Sequence, residues 1–330
     1  MTPNRPGPRN LISDIAGLTV GHATDEAAGT GVTVLLCPTP WVAAVDIRGG
    51  GPGVRETETL APENVVAGVH AICLSGGSVF GLAAADGVIA RLSARGIGMK
   101  LRPDGKAIPI VPAAVLHDLS NDGDKEWGET SPYAALGKAA LDAAAADFAQ
   151  GSVGAGRGAM AGYRKGGIGS VSLHLGDGLF VGALVVANPV GSAHMPDGNA
   201  FWSWPFEIDG EYGNIAPDLT ARAIDPAPDE TRLSTLGRLS AGANTTLAVV
   251  ATNADLDKGE AKRFAMMAQD GISRAVRPAH TPFDGDLVFA LASGVVALGY
   301  DGARQAKIAR LGSAAADCLA RAIARAVYLA

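Results

Sequence analysis

A mixed α/β fold, with helices covering both sides of sheets, is predicted by two features of the 330-residue sequence. Short β-branched runs bounded by glycine, proline and aspartate recur along the chain, and alanine-rich stretches of helical character lie between them. A third observation narrows the architecture: no period of about 20 to 50 residues repeats, which argues against a solenoid.

In chain order, strands are read at GVTVLLC (31–37), VAAVDI (42–47), HAICLS (70–75), IGSVSLHL (168–175), LFVGALVVAN (179–188) and TLAVVATNA (246–254). Helices are read at 79–95 and 133–150, with two more near the C-terminus. In the first of that last pair, Ala261, Phe264, Ala265, Ala268, Ile272 and Ala275 fall on one helical face, and Pro278 supplies the stop. Residues 209–243 are rich in Asp, Pro, Gly and Arg and poor in long apolar runs, so they read as a linker. That linker leads into Asn244-Thr245-Thr246, two adjacent hydroxyls at the start of a buried strand.

With 48% hydrophobic and 18% charged residues the chain can bury a substantial core, as one large domain or two ordinary ones. A net charge of -6 gives no basic field for phosphate backbones, so no nucleic-acid partner is expected. The N-terminus carries prolines and charges where an export signal needs an apolar core. The longest uncharged apolar run, 178–195, is broken by Asn, Pro, Ser and Gly, and it reads as a strand and a turn. A membrane span would need roughly 20 mostly apolar residues. A cytoplasmic protein is expected, with Cys37, Cys73 and Cys318 as buried free thiols.

Several familiar motifs fail. GAGRG (154–158) follows a helical stretch where a dinucleotide loop requires a strand. Ser78, in GGSVF, lacks the second glycine of a nucleophile elbow. The histidines show no HxxxH or HxH spacing and there is no CxxC, so no metal or cofactor is expected. Asn244-Thr245 offers chemistry that needs neither. A threonine at a chain's N-terminus can use its own α-amine as general base, and cutting the Asn244–Thr245 bond would create one. The same threonines also suit a strand edge, where β-branched residues are favoured, and spacing alone leaves both readings open.

Six motifs in order carry a resemblance. They are GLTVGH (17–22), DIRGG (46–50), CLSGGS (73–78) with FGL (80–82), KGGIG (165–169), ANPVG (187–191), and NTTLAVVATNADL (244–256) followed by AHTPFDGD (279–286). Together they are similar to the L-aminopeptidase/D-esterase (DmpA-type) family of self-processing N-terminal nucleophile hydrolases, which includes β-peptidyl aminopeptidases and the nylon-oligomer hydrolase. The resemblance spans nearly the whole chain. It implies a four-layer αββα sandwich and a single hydrolase domain, 1–330, that cuts itself into a large chain, 1–244, and a small chain, 245–330.

By the same resemblance Thr245 is the nucleophile with its freed amine as base, and Asp284 and Asp286 orient the amine and hydroxyl. A carboxylate raises the pKa of a neighbouring ammonium, so these aspartates would position the amine more than make it basic. Asn188 of the NPVG turn is implied as an oxyanion donor, and Lys165 as a cation that holds a carboxylate of the substrate or of the aspartate pair, with Arg164 beside it leaving the register open. His117 stands in a stretch where threonine-type members carry a tyrosine. An imidazole can donate one hydrogen bond there, or be a satisfied core histidine.

FWSWPF (201–206) gathers four aromatics in a chain with 5% aromatic residues, and is read as a pocket wall, an interface or a local minicore. The expected activity is hydrolysis of small peptide, β-peptide or ω-amino-acid oligomer amides through an acyl-threonine intermediate. Two alternatives stand beside it: hydrolysis of a pantetheine-like or other small non-peptide amide, and a non-catalytic binding protein that keeps the fold. The resemblance also implies a homotetramer of large and small chain pairs.

Overall fold

The computed structural model describes residues 5–196, 198–218, 225–227, 231–233, 244–300 and 302–330. In chain order its elements are β1 (Thr19–Asp25), β2 (Thr30–Ile47), β3 (Gly53–Arg55), β4 (Val69–Ser75), α1 (Ala84–Ala94), β5 (Ala113–Val115), α2 (Tyr133–Asp142), β6 (Met160–Ala161) and β7 (Arg164–Lys165). There follow β8 (Ile168–His174), β9 (Phe180–Asn188), β10 (Thr245–Ala254), α3 (Lys258–Ala268), α4 (Asp270–Ala275), β11 (Leu287–Val296) and α5 (Arg304–Tyr328).

Side chains alternate across a strand, and here both faces of the central strands are apolar, so each must be covered. Ala248, Val250, Val288 and Ala290 face outward onto Phe264, Ala265, Ile272, Leu319 and Ile323 of α3, α4 and α5. Their neighbours Leu247, Val249, Leu287 and Phe289 face inward, onto Leu35, Ile72 and Leu74 of the opposite strands. Val32, Val34, Ala71 and Cys73, on the far side of those strands, pack against Val88, Leu92, Tyr133 and Ala140 of α1 and α2. Three cores therefore separate four layers, helix, sheet, sheet and helix, as the resemblance implies.

One hydrogen-bonded path, β3-β5-β4-β2-β11-β10-β9-β8 with β1 beside β2, makes both sheets. The long strand β2 joins them. Its first half pairs with β1 and β4, and its second half, Val42 to Ile47, pairs antiparallel with β11. The two runs read separately at 31–37 and 42–47 are thus one strand, carried through Pro38 and Pro40 by a register irregularity between Leu36 and Trp41. Proline removes a ladder donor, and exposure of Pro38, Thr39 and Pro40 shows where the strand accommodates it.

Three helix boundaries also differ from expectation, the first because the helix read at 79–95 opens as 3-10 helix, Ser78–Ala83, and becomes α-helical only at Ala84. The helix expected over 133–150 stops at Asp142, because Ala145 is captured by β1 through paired backbone bonds with Val20 of 2.9 and 3.0 Å. The helix near 261–275 is two, α3 and α4, interrupted at Gln269, whose buried amide donates to Asp46 O at 2.8 Å. Its expected apolar face is nonetheless buried at all six positions. The linker expected at 209–243 lies largely outside the described residues. The three cysteines are buried free thiols. Among the described residues no helix is long and apolar enough to cross a membrane, and no group of three His, Cys, Asp or Glu could hold a metal ion.

Candidate active site

Four strand ends converge at one end of the outer sheet. Antiparallel pairing of β10 with β9 sets Thr245 opposite Asn188, and parallel pairing of β10 with β11 places Leu247 level with Leu287. Asn244 bridges to Asp284, and Leu287 pairs with Ile47 at the end of β2. Asn188, Asn244, Thr245, Asp284 and Asp286 are consequently brought together, and all are buried.

Around the Asn244–Thr245 bond the geometry is specific. The Thr245 hydroxyl donates to the Asn244 carbonyl oxygen at 2.5 Å, and the Gly285 N–H donates to the same oxygen at 2.8 Å. That backbone donor polarises the carbonyl and stands where negative charge would develop on attack. The Asn244 carboxamide is fully buried, and neither of its polar atoms has a hydrogen-bond partner among the described residues. An unsatisfied buried amide of this kind costs about 1–3 kcal/mol.

The two aspartates bind the surrounding backbone. Asp284 accepts from Val190 N at 3.0 Å and from both Thr281 N and the Thr281 hydroxyl, at 2.9 and 2.6 Å. Asp286 accepts from Thr246 N at 2.7 Å with one oxygen, and from His280 N and Nδ1 at 3.0 and 2.9 Å with the other. Burial, and then the charge of Asp286, pushes the Asp284 carboxyl up to about 6 against the help of its hydrogen bonds. Asp286 therefore fixes the residue that follows Thr245, while Asp284 ties the 188–190 turn to the 281–284 turn.

Asn188 is held by its side-chain oxygen, which accepts from Met160 N at 2.9 Å, while its amide nitrogen makes only a 3.5 Å contact with His117 O. The nitrogen is the end left to serve as donor. His117 touches the site through that carbonyl; its ring bonds the Ser120 hydroxyl at 3.0 Å, and burial lowers its pKa, with Arg232 adding to the effect. Lys165 is exposed on β7, opposite Met160, and lines a neighbouring cavity with Arg164.

Sequence reasoning missed three groups. Arg232 is the cation beside Asp284, and its guanidinium donates to the carbonyls of Met160, Asn188 and Pro189 at 2.9 to 3.3 Å. A lone arginine in a polar, proline-rich stretch carries no signal of this. His280, with φ of 57°, reaches Asp286 across a turn that its place in AHTPFDGD could have suggested. The third is the Gly285 amide, and backbone donors leave no trace in residue type.

Residues 10–330 match the model of peptidase family S58. The chain belongs to this family. A protein described as an uncharacterized aminopeptidase of Mycobacterium tuberculosis is 42% identical, with 95% of this chain and 92% of that protein covered. A 6-aminohexanoate-oligomer endohydrolase of Kocuria sp. is 32% identical, with 86% and 75% covered. The solved structure of a Burkholderia sp. beta-aminopeptidase matches with a TM-score of 0.69 at 24% identity, over 99% of this chain and 88% of that one. The L-aminopeptidase D-Ala-esterase/amidase of Ochrobactrum anthropi, described as a variant of the Ntn hydrolase fold, matches with 0.68 at 20% identity, over 99% and 88%. At these identities the two solved structures establish the fold, and S58 membership makes the chain a peptidase-family hydrolase.

Proposed function

We propose that this S58 chain is a self-processing aminopeptidase or amidase that uses Thr245 twice, first on its own backbone and then on a substrate amide. The observation that carries the reading is the Asn244–Thr245 bond itself, with its carbonyl held by Gly285 N–H, the attacking hydroxyl on the same residue, and the Asn244 side chain unsatisfied in the uncut state. In the first step Thr245 Oγ adds to the Asn244 carbonyl carbon. The C–N bond breaks, the hydroxyl proton passes to the departing amine, and an ester links Asn244 to Thr245. Water hydrolyses that ester to an Asn244 carboxylate, the regenerated hydroxyl and a free α-amine. Scission also frees Asn244 to leave its unsatisfied pocket.

In turnover the α-amine takes the Thr245 hydroxyl proton, the oxygen attacks the substrate carbonyl, and the leaving amine receives the proton. Water then resolves the acyl-threonine. Asn188 Nδ2 donates to the developing oxyanion, a contribution worth roughly 10²- to 10³-fold. Asp286 holds Thr246 N and Asp284 holds the adjoining Val190 N and Thr281, so that the amine and hydroxyl keep one geometry. Small peptide, β-peptide or ω-amino-acid oligomer amides are the substrate class, in keeping with the activities named for the relatives. The processed unit assembles as a homo-oligomer, which light scattering on a sizing column checks.

Intact mass under denaturing conditions tests the core claim. Two fragments, ending at Asn244 and beginning at Thr245, are expected from the native sequence. Thr245→Ala should give one uncut mass and no amide hydrolysis with its circular dichroism unchanged; a cut, active Thr245→Ala protein would overturn the assignment.

A further inference from the structure

Arg164 and Lys165 line a cavity of about 490 Å³, together with His194, Asn199, Phe201 and Tyr328. That volume falls in the range of small-molecule sites. No carboxylate is among the lining residues, and neither cation forms an ion pair among the described residues; Arg164 only donates to the Asn199 side-chain oxygen at 3.3 Å. The lining also carries aromatic rings, among them His194 and Phe201, tilted at 37° with centroids 4.1 Å apart. Two cations without an ion pair among the described residues, in one cavity with aromatic rings, suit an organic anion: the carboxylate pairs with the charges and the apolar body lies on the rings.

Both walls are tied to the candidate active site. Lys165 pairs with Met160, whose N–H holds the Asn188 side chain. His194 lies in the segment that continues from Val190, whose N–H is bound by Asp284. Arg232 is the cation beside Asp284, so Lys165 is not required to balance that carboxylate.

We propose that this cavity is a subsite for a free carboxylate on the leaving-amine portion of a short amide substrate. The proposal rests on the hydrolase reading for its substrate, though the carboxylate site itself can be tested without turnover. The probes are 3-phenylpropionate and 3-phenylpropionamide, titrated calorimetrically into the Thr245→Ala protein. The acid should bind at least tenfold more tightly than the amide. That preference should weaken with added salt and collapse to about equal binding in the Thr245→Ala/Arg164→Gln/Lys165→Gln protein. Both cations are at the surface, so the fold is preserved.

In the processed enzyme, Arg164→Gln should raise KM for a dipeptide with a free carboxylate about tenfold relative to the effect on its C-terminal amide. Equal binding of acid and amide, or a preference that survives the double substitution, would overturn the subsite while leaving amide hydrolysis untouched. Acid-selective binding in a protein that hydrolyses no amide would retain the anion site and remove only its assignment to a leaving group.

Discussion

A methyl group on residue 285 would lie 2.7 Å from the Thr245 hydroxyl oxygen, inside any tolerable contact. Gly285 thus admits the hydroxyl while its N–H holds the Asn244 carbonyl. Gly285→Ala should slow self-cleavage by tenfold or more, measured as the half-life of the uncut mass, with the protein still folded. His280 occupies a left-handed conformation that a large side chain adopts at a cost of about 1–3 kcal/mol, and its two bonds to Asp286 hold it there. Asparagine tolerates that conformation and offers a short amide donor. His280→Asn should therefore keep more of kcat than His280→Ala, which loses the side-chain support of Asp286. At this scale the sequence revealed residues whose chemistry is in the side chain and whose neighbours form a motif. Asn188, Thr245 and the aspartates were singled out through motifs that carry the family resemblance, and the structure brings them together. Arg232 was not, because it donates to backbone carbonyls distant in sequence.

Helix α5 is held to the sheet by absence as well as by contact. A Cβ on Gly169 would run into the Ala322 carbonyl and Ala326, so β8 accepts the helix only because that position is bare. At the helix's buried side Arg321 is fully enclosed and reaches Glu211 through two bonds, of 2.5 and 2.9 Å, with Asn10 as a further acceptor. Removing one member of a buried ion pair strands the other, so Glu211→Gln should lower unfolding free energy by about 3–5 kcal/mol in a urea titration. The apolar runs and the face of α3 and α4 were readable from periodicity, since each repeats at its own element's spacing. The C-terminal end of α2 and the union of two runs into β2 were not, because tertiary backbone pairing decides them.

For the whole molecule, buried titratable groups set how stability responds to acid. Burial lowers His22 and His194 to about 4 and pushes His70 and His117 down as well. Each is neutral in the folded state where the unfolded chain would already hold a proton, so each withdraws stability as pH falls below about 6.5, and for His22 and His194 the loss continues toward 4. Asp284 acts with the opposite sign: raised by burial and by the charge of Asp286, it binds its proton in the folded state first and so returns stability as pH falls through its raised value. The urea midpoint should fall between pH 7 and 4.5, and more steeply in Asp284→Asn. The order of strands β2-β11-β10-β9 bears on what a cut after Asn244 would do. Both strands of the fragment 245–330 are interior, each flanked on its outer side by a strand of 1–244, so a severed chain keeps the connectivity of its hydrogen bonds. Processing then changes the covalent map without creating a separable subunit. The fragments should migrate together in native electrophoresis and part only under denaturant, and separately expressed halves should fail to exchange into a mature enzyme.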